Sequence, residues 1–222
     1  ATVNFDGVDF IVEKAKPDLI ILVNDTFYKD NITGTITLNG VNGTGLNGTV
    51  SVIINNKTFD NIQIINGIGE INLSGDFIVN NYTATVVYAG NQNYTGRMNS
   101  TGFKINKINV TSCNISVINS TYGNVTIEVD LHSDATGNVT LTVDGKNYTS
   151  TLINGTALFE LANNLNVGDY NFTIAYPGDN NYNPITKNDN ITVIKASISP
   201  IDVDVNVINS TYGNVTIEVT VP

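Results

Sequence analysis

The pattern with most chemical content in this 222-residue chain is Asn-x-Ser/Thr, which occurs twenty times, from Asn24 and Asn31 to Asn209 and Asn214. In a secreted protein such an asparagine is the acceptor for N-linked glycan. About one residue in six is Asn, so many of these motifs arise from composition alone. The acceptors singled out are Asn24, Asn31, Asn124, Asn138, Asn147, Asn171 and Asn214, several of them on or beside outward strand positions. A coat of glycans there shields Thr-rich faces from proteases and from edge-to-edge pairing.

Other reactive residues are sparse. His132 is the one histidine and Cys113 the one cysteine, so there is no HExxH motif and no Cys/His metal cluster. Cys113 and His132 fall on neighbouring predicted strands, but a solvated His at a strand end and a packed thiol account for them better than a nucleophile pair. Asp202 and Asp204 lie two apart, on one face of a strand, and with Asp189 or Asp179 offer oxygens that could hold calcium. Nothing resembles an EF-hand loop, so the expectation is solvated acids and no cofactor. Lys107 and Asn190, with Glu160 or Glu128, are the residue types of an isopeptide cross-link; a solvated Lys closing each repeat is the simpler reading. No catalytic residue emerges, and the chain reads as a non-enzyme.

The elements that position these residues come in repeats. Val117 to Val129 and Val207 to Val219 are identical over thirteen residues, ninety apart. Tyr88-Ala-Gly-Asn-Gln-Asn-Tyr94 matches Tyr176-Pro-Gly-Asp-Asn-Asn-Tyr182, and Asn66-Gly67 matches Asn154-Gly155. Self-similarity at a fixed period marks a tandem array. On this register residues 1–14 are the last strand of a preceding repeat, 15–107 and 108–195 are complete repeats, and 196–222 are the first strands of a following one.

Composition fits an extracellular all-β protein. Apolar residues at 41% suffice for a core, whereas charged residues at 14% fall well below the usual quarter or so. Asn favours turns, and the Val, Ile, Thr and Tyr around it favour strands. With one cysteine there is no internal disulfide. The net charge of -10 excludes phosphate-driven nucleic-acid binding and adsorption to anionic membranes. No apolar run is long enough to insert in a bilayer.

In residues 108–195 seven strands are predicted: 108–117, 123–132, 138–143, 146–152, 154–161, 169–176 and 185–194. Val125, Ile127, Val129 and Leu131 share one face, and Thr126, Glu128 and Asp130 the other, which is a half-buried strand. Asp144-Gly145 is a strong hairpin signal. Leu165, Gly168 and Tyr170 have the spacing of a tyrosine corner, in which a Tyr hydroxyl bonds backbone upstream; residues 15–107 keep part of it as Phe77, Asn80 and Tyr82. Tyr170, Phe172, Ile174 and Tyr176 share a face, as do Tyr82, Ala84, Val86 and Tyr88, so these aromatics read as core and corner and not as a ligand platform. The predicted fold is all-β, tandem seven-stranded immunoglobulin-like β-sandwiches.

The runs Asn138-Val-Thr-Leu-Thr-Val-Asp-Gly-Lys-Asn-Tyr-Thr149, Leu165-Asn-Val-Gly-Asp-Tyr-Asn-Phe-Thr-Ile174 and Tyr176-Pro-Gly-Asp-Asn-Asn-Tyr182 resemble the Ig-like repeats of adhesin-like surface proteins of methanogenic archaea, of bacterial Ig-like type. The resemblance is close over 108–195 and looser over 15–107, where a segment at 39–47 lengthens one loop and is too glycine-rich to be rigid. It implies a surface location and supplies no catalytic residue. The junctions Lys14-Ala-Lys-Pro17, Lys104-Ile-Asn-Lys107 and Lys195-Ala-Ser197 lack Gly runs or Pro-rich spacers, so successive repeats follow almost directly and each adds about 40 Å. The expected function is a semi-rigid adhesin stalk, with other cells, surface glycans or neighbouring copies as partners. The alternative is a subunit region of an extracellular filament or sheath completed by strand addition between chains.

Overall fold

The computed structural model describes residues 2–5, 8–162, 164–197 and 204–220. Contacts divide it into two compact units, residues 1–109 with 180–183, and residues 110–179 with 184–222.

The first unit opens with β1 (Thr2–Phe5) and β2 (Val8–Ile11), an antiparallel pair with Thr2 opposite Ile11. Residues 1–14 thus hold two short strands where one was predicted; Asp6-Gly7, itself a hairpin dipeptide, separates them in sequence. There follow β3 (Asp18–Val23), β4 (Thr26–Phe27), β5 (Ile32–Asn39), β6 (Gly48–Ile54), β7 (Lys57–Ile64), β8 (Ile68–Leu73), β9 (Asn80–Tyr88) and β10 (Arg97–Asn106). They form two sheets, ordered β3-β5-β8 and β4-β10-β9-β6-β7. Every second residue faces inward because the strand period is two. Ile32, Ile36 and Leu38 of β5, Val50, Val52 and Ile54 of β6, and Tyr82, Ala84, Val86 and Tyr88 of β9 accordingly make up one buried cluster.

The glycine-rich segment 39–47 departs from expectation. It holds one turn of 3-10 helix at Val41–Gly43 and is tied down by Gly40 N–H to Thr44 C=O (2.7 Å) and Leu46 N–H to Leu38 C=O (3.0 Å). A side chain at Gly45 would run into the Asn66 carbonyl, so glycine here permits close packing of backbone rather than looseness.

In the second unit, β11 (Asn114–Thr121), β12 (Asn124–Asp130) and β15 (Thr156–Glu160) form one sheet. The other, ordered β14-β13-β16-β17, comprises β13 (Asn138–Val143), β14 (Lys146–Thr151), β16 (Gly168–Tyr176) and β17 (Ile185–Val193). Seven strands in two antiparallel sheets, three facing four, make an immunoglobulin-like sandwich. The same three-strand order appears in the first unit as β3-β5-β8, so the architecture is tandem β-sandwiches. Predicted and observed strands agree to within two residues except at the first, where β11 starts at Asn114 and Ile108 makes only an isolated bridge. Regular alternation marks an extended chain, and an extended connection alternates as a strand does.

The last described elements, β18 (Asp204–Thr211) and β19 (Asn214–Thr220), form a two-stranded sheet of their own. The thirteen repeated residues adopt the same conformation in both places. Val117 pairs with Ile127 and Asn119 with Thr126 across a bulge, and Val207 with Ile217 and Asn209 with Thr216 across an identical one. Asn119 Oδ1 accepts the Thr121 N–H at 2.8 Å, as Asn209 Oδ1 accepts the Thr211 N–H at 3.1 Å.

Candidate functional surface of the strands and tyrosine corners

Two tyrosines fasten the turn entering a central strand of each unit. The Tyr82 hydroxyl donates to the Ile78 carbonyl at 2.9 Å, and the Tyr170 hydroxyl to the Asn166 carbonyl at 3.2 Å, each four residues back. Tyr82 is buried and stacks on Phe103 with ring centroids 5.6 Å apart, whereas Tyr170 is half-buried. Leu165 is buried beneath the second corner, and Gly168 takes a φ of +153°, open in practice only to glycine. Tyr176 is also pinned, its hydroxyl donating to the Thr136 carbonyl at 3.0 Å.

The sequon asparagines lie on the surface. Eighteen of the twenty are exposed, and the half-buried pair, Asn119 and Asn209, are the equivalent bulge residues whose side chains hold backbone. Asn124, Asn138 and Asn214 begin β12, β13 and β19; Asn147 lies in β14 and Asn171 in β16; Asn24 follows β3 and Asn31 precedes β5. A spacing of two matches the strand period, so within a strand the Asn and its hydroxyl partner share the outer face. The amides are not equivalent. Nδ2, the atom a glycan would occupy, donates to Thr33 Oγ1 in Asn24 (3.2 Å), to Asn72 Oδ1 in Asn31 (2.8 Å) and to the Leu19 carbonyl in Asn99 (2.8 Å). Asn138 and Asn147 instead use Oδ1, accepting from Thr151 and Thr142 at 2.8 Å each.

These bonds belong to a feature that sequence reading overlooked. The outer faces carry cross-strand polar pairs: Thr173 to Asn188 at 2.8 Å, Thr192 to Asp169 at 2.6 Å, Thr156 to Asp130 at 2.7 Å and Thr85 with Ser100 at 2.9 Å. Each joins residues directly opposite in register and contributes about 0.2–1 kcal/mol. The signal was present as Thr and Asn at alternate positions, but which residues meet depends on register, and the sequence does not print register.

The other reactive residues remain apart from any catalytic arrangement. Cys113 is buried, and burial pushes its thiol up from the ordinary value despite the Lys187 ammonium, which donates to the Cys113 carbonyl at 2.7 Å. A nucleophilic thiol needs the opposite shift. His132 Nε2 lies 3.2 Å from Thr111 Oγ1. Glu128 is half-buried and Glu160 exposed, and Lys107 and Asn190 are exposed, so the buried acid that isopeptide chemistry requires is not supplied by these two glutamates. Asp179 Oδ2 accepts from the Thr136 N–H and hydroxyl at 2.9 and 3.0 Å; Asp189 and Asp204 are exposed, and Asp202 lies outside the described residues. Among the described residues no three His, Cys, Asp or Glu side chains are grouped as metal ligands, and no helix is long and apolar enough to cross a membrane.

Residues 114–194 match the profile of the bacterial Ig-like domain (group 3), a span running from the first residue of β11 to the residue after β17. No curated protein matches the chain. Among solved structures, a 1.5-MDa bacterial ice-binding adhesin is 18% identical, with 89% of this chain and 71% of that one covered and a TM-score of 0.35. A two-domain fibronectin type III segment of chicken tenascin is 13% identical (79% and 98% covered, TM-score 0.47). The Yersinia pseudotuberculosis adhesin InvE is 14% identical (80% and 60% covered, TM-score 0.44).

Proposed function

We propose that this chain is a non-catalytic part of an adhesin-like cell-surface protein, its Ig-like repeats forming a semi-rigid stalk that projects from the cell and supports adhesion. The observation that carries the reading is the tandem repetition of a small sandwich whose outer faces bear paired Thr and Asn and many sequons, with reactive groups buried or scattered. Such a unit offers length and an inert, hydrated surface. Short junctions free of glycine runs restrict bending between repeats. In this reading residues 15–107 and 108–195 are whole repeats, 1–14 closes a preceding one and 196–222 opens a following one. Glycan on exposed Asn124, Asn138, Asn147, Asn171 and Asn214 clothes the stalk, and the partners are other cells, surface glycans or neighbouring copies. The run similarity to methanogen surface proteins supports an archaeal source.

A second reading is a subunit region of an extracellular filament, completed by strand addition between chains; the sheet-edge strands β7 and β14 are where such pairing would occur. Negative-stain electron microscopy of native surface material separates the two. Lone rods that scale in length with repeat number are expected for a stalk; fibres of regular helical repeat would overturn it in favour of the polymer.

A further inference from the structure

The strand β14 ends its sheet, and among the described residues only β13 pairs with it. The turn decides which of its backbone groups are spare. A two-residue hairpin makes the flanking pair, Val143 and Lys146, exchange both of their bonds, and the pattern then alternates. Leu141 with Tyr148 and Val139 with Ser150 are the next bonded pairs, and the Leu152 N–H on the Gly137 carbonyl at 2.9 Å continues the series. The N–H and C=O groups of Asn147, Thr149 and Thr151 therefore point away from the sheet, along its open edge. The side chains of the same three residues are exposed on the outer face. Other edges are guarded. In β7 a bulge falls between the pairings with Val50 and Val52, Asn61 has a φ of +61° and Asp60 lies mid-strand. β11 is bulged between Val117 and Asn119, β8 carries Glu70, β17 carries Lys187 and Asp189, and the Leu19 carbonyl of β3 is taken by Asn99 Nδ2 at 2.8 Å. From Asn147 to Thr151, β14 has neither a bulge nor a charged side chain. A regular, uncharged edge is a template for another strand.

We propose that two copies of this chain pair through β14, the strands antiparallel with Thr149 of one copy opposite Thr149 of the other. The occupant is a second copy because β14 complements itself. In this register Asn147 of each copy faces Thr151 of the other, so every edge-pointing residue meets an edge-pointing residue and about six backbone bonds form. A shift of two residues loses one of those opposed pairs, and a shift of one sets inner side chains against outer ones. The side-chain match is one the sheet already uses: Asn147 Oδ1 accepts from Thr142, and Asn138 Oδ1 from Thr151, at 2.8 Å each. Glycan on Asn147 stands beside Thr151 of the second copy and closes the edge. The contact is two-fold and complete at two copies, so it goes beyond both functional readings and depends on neither.

The test uses the whole 222-residue chain made without glycosylation. Sedimentation equilibrium should show a reversible monomer–dimer exchange. Thr149→Pro removes an N–H that the fold itself leaves unbonded, a change that edge strands accept, and should keep the sandwich while abolishing the dimer. A chain that stays monomeric at every concentration, or a dimer that Thr149→Pro leaves intact, overturns the proposal. A second measurement reads the register. In a Cys113→Ser chain, Thr149→Cys sets two thiols on a bonded pair about 5.5 Å apart at Cα, within disulfide range, and should oxidise to a covalent dimer. Asn147→Cys sets its two about 14 Å apart and should not. Cross-linking through Asn147→Cys that equals or exceeds that through Thr149→Cys, or none in either variant, overturns the pairing.

Discussion

At the scale of single residues, the two tyrosine corners look alike in sequence and differ in environment. Tyr82 is 7% exposed and bonds at 2.9 Å, while Tyr170 is half-buried and bonds at 3.2 Å. A net hydrogen bond is worth about 1 kcal/mol, and an orphaned buried carbonyl costs more than one that water can reach. Tyr82→Phe is therefore expected to destabilise the first unit by about 1–2 kcal/mol and Tyr170→Phe the second by about 0.5 kcal/mol, read as urea midpoints. A larger loss from Tyr170→Phe would contradict this ordering. The spacing was legible from Leu165, Gly168 and Tyr170, because a corner is a local motif; the inequality was not, because burial comes from residues far away in sequence, such as Phe103 against Tyr82.

At the scale of elements, two tight turns of like conformation do different work: Asp144-Gly145 joins the paired strands β13 and β14, whereas Asn154-Gly155 carries the chain from β14 in one sheet to β15 in the other. Asp144-Gly145 and Asn154-Gly155 both place two successive residues at positive φ, +51° and +68° in the first and +51° and +81° in the second, the requirement of a type I′ turn. They tolerate change differently. A side chain on Gly145 meets nothing within 4 Å, whereas one on Gly155 would strike the His132 carbonyl. Gly145→Ala should cost about 1 kcal/mol for its backbone conformation alone, and Gly155→Ala about 2–4 kcal/mol. Thermal melts of the two variants check this, and equal shifts would mean that the contact at Gly155 relaxes freely. Asp144-Gly145 was readable as a turn, as were the strands it joins; Asn154-Gly155 was legible only as a repeat match, its residues falling at the start of a predicted strand 154–161 that begins at Thr156. What was not readable is the short β4, two residues long and parallel to β10, since two residues carry no periodicity. The 39–47 segment was misjudged for a related reason: glycine content signals conformational freedom in the unfolded chain and close approach in the folded one.

At the scale of the whole molecule, the absence of a disulfide leaves stability to burial and sheet pairing, and burial also sets its pH dependence. Burial raises the Cys113 thiol above its ordinary 9.0 and the Tyr82 and Tyr88 phenols above their ordinary 10.0. Groups so raised hold their protons in the fold more tightly than in the unfolded chain. Their stabilisation is complete below the unfolded values and is lost as pH rises through the folded ones. The melting temperature should thus be level near pH 7.5, begin to fall above about 9 and fall faster above about 10; Cys113→Ser should remove the earlier part of the decline only. A rise over that range would refute the assignment.

One detail of the sheets sets how the protein meets a pull along its backbone. In the first unit the entering segment bonds the leaving strand side by side and in the same direction, Thr26 opposite Ile105 and Phe27 opposite Asn106, with Tyr28 N–H on the Asn106 carbonyl at 2.9 Å. The second unit does likewise, with Ile194 N–H on the Ser120 carbonyl at 2.9 Å and Tyr122 N–H on the Ile194 carbonyl at 2.8 Å. Tension that draws the entering and leaving segments of a unit in opposite directions slides two parallel strands past each other, loading these bonds together in shear. Strands paired antiparallel at the same place would peel open one bond at a time and yield at lower force.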